Sequence, residues 1–319
     1  MYLADKVRAF LNEKRVKHLV SANHETLGNI PYDDITNNHE EADTLMILHC
    51  ISFSSSATTD PCSITVFCPD TDVACLLIAF KDQMIQNIYM DTGVRLIHID
   101  SVFQSLGEKK AKALLSLHAL SGCDTTGRFQ GKGKKSWWKV FTKCTDEQLM
   151  AIKSIQDEDP LKHFSTQQEV IAWLYNAKSK DVADARWTLF KKFSYESEPL
   201  PPTAGSLKQA ILRAHCQART WFLSDKSTRL LPDPLSCEWE ILEEVHRPKT
   251  SDTPVAPDSV LNLIKCGCGS DCLSRRCRKN NLVCTELCEC GDMCQNSDVE
   301  RFVNDEALEE DEMFDEMSL

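Results

Sequence analysis

Eight cysteines crowd into the 29 residues 266–294, spaced C-x-C-x3-C-x4-C-x6-C-x3-C-x-C-x3-C through Cys266, Cys268, Cys272, Cys277, Cys284, Cys288, Cys290 and Cys294. A segment this short, with so few apolar side chains, cannot hold itself folded by burial. Cross-links must do it. Structural zinc sites take four thiolates per ion, and their bonds supply folding free energy directly. Eight thiolates fill two such sites, or more if some sulfurs bridge, so at least two zinc ions are expected. A disulfide knot would need an oxidising compartment. The N-terminal stretch MYLADKVRAFLNEKRVKHLV scatters its charges and has no signal-peptide core, which argues for a protein inside the cell. The longest apolar run, Val73–Phe80, is far too short to span a membrane. The remaining cysteines (Cys50, Cys62, Cys68, Cys75, Cys123, Cys144, Cys216 and Cys237) stand singly and read as small hydrophobes.

Charge is also unevenly distributed. Of the formal net charge of −12, residues 297–319 carry −9, with ten acids against one arginine. Such a tail is expected to be disordered and solubilising. The rest of the chain is near neutral.

Upstream, residues 1–145 alternate helix-like and strand-like segments. Lys6–Lys14 suggests a helix, and His18–Ala22 a strand. His39–Ser52 reads as a helix with acids in its first turn, where the helix dipole favours them. Ser63–Cys68 is a short β-branched strand followed by Asp70 and Asp72. Val73–Phe80 suggests a buried helix, Asn87–Ile99 two strands, and Ala111–Leu120 a helix leading into the loop SGCDTTGRFQGKGKK. The pattern predicts an α/β fold with a mostly parallel sheet flanked by helices. Residues 146–196 form a helical extension with Gln168–Asn176 and Val182–Phe193 as its clearest helices, and Trp173, Tyr175, Trp187 and Phe190 as packing residues. Residues 197–262 hold eight of the twelve prolines and read as a linker interrupted by one helix, Leu207–Leu223. The cysteine module is placed at 263–296 and the acidic tail at 297–319.

Three acidic motifs recur at helix starts or loops of the first half: Glu40-Glu41-Ala42-Asp43, Asp70-Thr71-Asp72, and Gly122-Cys123-Asp124. Acids near the carboxyl ends of strands can converge on one face of an α/β sheet. Gathered together they repel unless divalent cations neutralise them. Magnesium or manganese held this way could activate a water and stabilise a departing phosphate oxygen. Beyond the last motif, Gly131-Lys132-Gly133 offers backbone N–H groups a close approach to phosphate, with Lys134 and Lys135 adding charge.

These segments resemble the PIN-like nuclease superfamily, particularly its flap endonuclease and 5′–3′ exonuclease branch. That branch carries E-A-D/E on a helix, D-x-D after a strand, and G-x-D leading into a helix–hairpin–helix. The phrases HEEADT, PDTDV and LHALSGCDTT also resemble transposon-associated PIN-like proteins, some of which carry a CXC module. The resemblance implies a catalytic metal site at Glu41, Asp43, Asp70, Asp72 and Asp124. It also implies DNA contacts at Gly131, Lys132, Gly133, Lys134 and Lys135. Such domains open with a strand ending in aspartate, for which nothing before Ser21 is a counterpart; Asp33 and Asp34 are the nearest acids. The domain at 1–145 is therefore expected to be N-terminally incomplete.

Residues 265–296, with KCGC, CLSRRCRKNNLVC and CEC, resemble the tesmin-like CXC (CRC) domain, whose nine cysteines hold three zinc ions. Here Cys277 stands alone where the family has a second C-x-C pair, one ligand fewer. Family members bind DNA, and Arg275, Arg276, Arg278 and Lys279 form a basic cluster suited to phosphates. The reading that follows is a nuclear, nucleic-acid-binding protein with a degenerate or incomplete PIN-like nuclease domain and a zinc module contacting DNA or chromatin proteins. An active magnesium- or manganese-dependent nuclease, and a non-catalytic interaction adaptor, are the alternatives.

Overall fold

The computed structural model describes residues 2–15, 19–22, 25–28, 37–56, 63–192, 200–250, 276–279, 284, 288–290, 294 and 296. Contacts divide the chain into two units at Lys249 and Thr250. Asp33 and Asp34, Arg275, Cys266, Cys268, Cys272 and the tail at 297–319 lie outside the described residues.

The first unit is predominantly helical. It opens with α1 (Tyr2–Glu13) and a two-stranded antiparallel ribbon, β1 (Leu19–Ala22) with β2 (Glu25–Gly28). Then come α2 (Ala42–Ser56), β3 (Ser63–Phe67), α3 (Thr71–Phe80), β4 (Asn87–Asp91), β5 (Leu96–His98), α4 (Ile99–Leu106) and α5 (Glu108–Ser121). The helices α6 (Lys134–Phe141), α7 (Asp146–Lys153), α8 (Phe164–Leu174), α9 (Val182–Lys192) and α10 (Ala204–Phe222) follow, and a small antiparallel ribbon of β6 (Trp239–Leu242) and β7 (Val245–Pro248) ends the unit. No described helix is long and apolar enough to cross a membrane.

The sheet corrects the expectation of a mostly parallel one. It has three strands, with β3–β4 parallel and β4–β5 antiparallel. The turn Asp91–Leu96 is too short for the crossover that a parallel partner requires. Gly93, at φ +81°, closes it, and its N–H donates to Asp91 Oδ1.

Two helices organise the core. In α3 every side chain from Val73 to Phe80 is buried, between α2, α4 and α5. Burial on all sides is why that run has no polar face. Each such side chain contributes on the order of 2 kcal/mol. In α5 nearly all of Ala111–Ser121 is buried, flanked by α3, α7 and α10.

The linker reading of 197–262 fails for its described part. Leu207, Ile211, Ala214, Ala218 and Trp221, spaced four and three apart, form one buried face of α10. That face packs on α5 as part of the main core. Prolines bracket this helix without freeing it. Among the aromatics expected to pack, Tyr175 is buried, whereas Trp187 is exposed and covered by Lys191. The single cysteines divide: Cys50, Cys75 and Cys237 are buried, and Cys68, Cys123, Cys144 and Cys216 are partly so. Cys62 lies outside the described residues.

In the second unit, Cys277, Cys284, Cys288, Cys290 and Cys294 form a buried cluster of their own. A single helical turn, Arg276–Lys279, carries Cys277.

Candidate metal centres

The acidic pocket is assembled from four segments. The first is the start of α2. Asn37–Glu40 runs non-helical into it, so the helix begins at Ala42 instead of His39. The cause is a clamp with the segment after α10. Asn38 N donates to Ser227 O (3.1 Å), Arg229 N to Asn38 Oδ1 (2.8 Å) and Asn38 Nδ2 to Arg229 O (2.8 Å). His39 is buried, its Nε2 donating to Lys226 O at 2.8 Å and its Nδ1 lying 2.9 Å from Thr44 Oγ1. The clamp holds Glu41 and Asp43 on the first turn.

The second segment is the β3–α3 junction. Asp70 is the N-cap of α3: its Oδ1 accepts from Asp72 N at 2.8 Å, satisfying one of the helix's orphan donors. Asp72 then sits in the first turn and accepts from His118 Nε2 at 2.6 Å. The third is the loop after α5. Gly122 ends that helix at φ +108°, and a side chain there would clash with Arg128. Cys123 and Thr126 exchange backbone hydrogen bonds, leaving Asp124 and Thr125 at the tip of a tight turn. The fourth is α10. Its Gln217 accepts from Thr125 Oγ1 at 2.8 Å and hydrogen-bonds Glu41.

Glu41, Asp43, Asp72 and Asp124 thus line one pocket of about 160 Å³, together with Cys123, Thr125, Gln217 and Trp221. Asp70 does not line it, although its charge acts on Asp43. The carboxylates disturb one another. Burial, and then the charges of Asp70, Asp72, Glu41 and Asp124, push Asp43 up to about 6. Burial also raises Glu41, against the hydrogen bond from Gln217 and the charge of Arg229. Like charges in a half-dry pocket are what a cation would relieve.

His118 and Lys134 support the pocket from behind. Burial, and then the Lys134 charge, hold the His118 pKa below its usual value, so the ring is neutral. With Nε2–H donated to Asp72, its Nδ1 accepts from Lys134 Nζ at 3.0 Å. Lys134 also donates to His118 O (3.1 Å), Ser121 Oγ (2.9 Å) and Gly122 O. Those two carbonyls end α5, where helical partners run out. Lys134 therefore caps α5, its ammonium turned to that helix end. The rest of the hairpin is more open. Gly131 (φ +66°) turns the chain between Phe129 and Lys132, Lys132 Nζ lies 4.6 Å from the centre of the Tyr175 ring, Gly133 caps α6, and Lys135 is exposed.

In the cysteine module two groups, Cys277–Cys284–Cys288 and Cys284–Cys290–Cys294, each bring their sulfurs within 4.8 Å of one another. Both include Cys284. Cys277 Sγ and Cys288 Sγ are 3.7 Å apart, close to the roughly 3.8 Å edge of a tetrahedron with 2.3 Å Zn–S bonds. Asn296 Nδ2 donates to Cys284 Sγ at 3.3 Å, and Cys284 N donates to Asn296 O at 2.9 Å. These clusters can hold metal ions. In the neighbouring basic cluster, Arg278 is exposed, and Arg276 and Lys279 share its helical turn.

His118, Gln217 and Trp221 were not anticipated as site residues. The spacing of the buried face of α10 could have revealed the last two; His118 lay in LHALSGCDTT with nothing to mark its partner. Comparison with known protein families, curated proteins and solved structures gives no match.

Proposed function

We propose that this chain is a nucleic-acid-binding protein on a PIN-like nuclease scaffold, with magnesium or manganese in the acidic pocket and zinc in the cysteine module. One observation carries the reading: Glu41, Asp43, Asp72 and Asp124, from three separate acidic motifs, line a single pocket. Chance surface acids spread apart to lower their repulsion; these are held together by the Asn38–Arg229 clamp, the Asp70 cap and the Gln217 bridge. Lys132 and Lys135 in the hairpin, and the basic turn beside Cys277, would meet phosphates.

Phosphodiester hydrolysis is the second reading, favoured by the exposed position of Asp124 and Thr125 at the pocket edge, where a strand could enter. Bound cations would supply an activated water and charge for the departing oxygen. The protein's part is to orient them: His118 fixes Asp72, and Gln217 fixes Glu41.

Thermal unfolding of the full chain, titrated with manganese chloride, tests the proposal. A ligand bound only by the folded state raises the melting temperature, by about 2.7 kcal/mol of stability at a hundredfold excess over Kd. Asp72→Asn with Asp124→Asn should abolish that rise, along with any cleavage of flapped or single-stranded DNA. An equal rise in the double variant would overturn the pocket. A metal-dependent rise without cleavage would select binding over hydrolysis.

A further inference from the structure

Two cysteines outside the cysteine module, Cys216 and Cys237, are hydrogen-bonded to each other through their sulfurs. Cys216 lies on α10, and Cys237 ends the short 3₁₀ turn Pro234–Cys237, which packs on that helix. Cys216 Sγ is also 4.0 Å from Pro232 O, and Cys237 Sγ 3.9 Å from Ser236 Oγ. Their settings differ. Cys237 is buried beneath the exposed residues Asp233–Ser236, whereas Cys216 is only partly buried. The hydrogen bond from Cys216 holds the Cys237 pKa down to about 7 against burial, and the same bond raises Cys216. Near neutral pH the two adjacent sulfurs therefore share one negative charge. The chain between them, residues 217–236, carries the partners of the clamp on α2. Lys226 O accepts from His39, Ser227 O accepts from Asn38 N, and Arg229 pairs with Asn38.

We infer that a peroxide joins Cys216 and Cys237 in a reversible disulfide, which closes this loop and fastens the clamp at the start of α2. The oxidant meets Cys216, the more open sulfur. With its proton passed to Cys237, the Cys216 thiolate attacks one peroxide oxygen. The O–O bond breaks, leaving a sulfenic acid on Cys216 and a hydroxide. That hydroxide takes the proton from Cys237 and becomes water. The Cys237 thiolate then attacks the Cys216 sulfur, forming the S–S bond and expelling the sulfenic oxygen as hydroxide. The two sulfurs lose two electrons and the peroxide gains them; a dithiol reductant reverses the change. Closing a loop restricts its opened states, so the segment that grips Asn38 and His39 opens less often. The pairing is independent of the acidic pocket, and its bearing on metal binding rests on the reading of Glu41 and Asp43 as cation ligands.

Treating the full chain with hydrogen peroxide, then mapping its tryptic peptides by mass spectrometry, tests the pairing. The expected product joins the peptide Ala214–Arg219 to the peptide Leu230–Lys249, two hydrogens lighter than their sum. Dithiothreitol should restore both peptides in free form. Amide hydrogen exchange at Asn38–Leu45, measured without manganese, should slow at least about threefold on oxidation. Cys216→Ser should show neither the link nor the slowing; should that variant not fold, the peptide map of the unaltered chain still decides the pairing. Cys216 and Cys237 recovered as separately oxidised sulfurs, or joined to other cysteines, would overturn the inference. A formed link with unchanged exchange at Asn38–Leu45 would overturn its hold on the clamp. Neither readout involves a cation, so failure here is distinct from failure of the acidic pocket to bind metal.

Discussion

Replacing Asp43 with asparagine should stabilise the metal-free protein. Asp43 is ionised at neutral pH only against burial and four neighbouring carboxylates, which push its pKa from 3.8 to about 6. Each unit is about 1.4 kcal/mol, so the ionised form carries a penalty of up to about 3 kcal/mol. Asp43 is only half-buried and solvent screens its neighbours, which reduces the expected gain to roughly 1–1.5 kcal/mol. For a unit of this size that is a rise of about 2–6 °C in melting temperature. The direction with pH follows from the raised value. The folded state binds the Asp43 proton more tightly than the unfolded state, so the penalty is full above about pH 6 and fades as pH falls toward 3.8. The advantage of Asp43→Asn should be present at pH 7.5 and nearly gone at pH 4. Every tryptophan of the chain lies in the first unit, so fluorescence-monitored urea unfolding reads that unit alone. With saturating manganese the order should reverse, because asparagine weakens the cation site. A destabilised variant at pH 7.5 without metal, or a gain that persists unchanged at pH 4, would refute the account of the pocket as a cluster of mutually repelling acids.

Two further outcomes follow from the same geometry. Lys134→Met leaves the carbonyl of Gly122 without its donor, while His118 O keeps Ser121 Oγ, and should cost about 1–3 kcal/mol in urea unfolding; a change below about 0.5 kcal/mol would mean that the carbonyl finds another donor. Cys284→Ser removes a sulfur common to both thiolate groups, so elemental analysis of the full chain should show a larger zinc loss than for Cys277→Ser, and equal losses would count against a shared ligand.

How much of this could be read from the sequence depended on what each residue has to pack against. The run Val73–Phe80 is apolar throughout because α3 is enclosed on all sides, and the sequence marks it clearly. The three acidic motifs were legible because helix starts and strand exits tolerate carboxylates, and capping even explains Asp70 locally. What remained hidden is long-range. α4 follows directly on β5 with no side-chain cap at His98, so no local signal marks where strand becomes helix. The start of α2 shifted because Asn38 pairs with Arg229, a partner 191 residues away. α10 had a readable buried face, yet the prolines around it drew the interpretation toward a linker. Lys134 shows the sharpest limit. A lysine in GKGKK has the same local signature whether it meets phosphate or the end of a helix; only the fold brings it to the carbonyls of α5.

That placement of Lys134 bears on why the three acidic motifs differ electrostatically. Asp43 and Asp72 occupy first turns of helices, where the dipole partly offsets their charge. Asp124 follows the C-terminus of α5, where the dipole has the wrong sign for a carboxylate. The ammonium of Lys134 answers the α5 carbonyls, but it is consumed there and in holding His118 against Asp72. Asp124 lines the acidic pocket opposite like charges, and Lys134 does not line that pocket. A cation seated among Glu41, Asp43, Asp72 and Asp124 would do for the turn tip what Lys134 does for the helix end. Asp124, at the turn tip, touches neither His118 nor the clamp on α2, so Asp124→Asn alone should weaken manganese binding while leaving the His118–Asp72 pair and the fold intact.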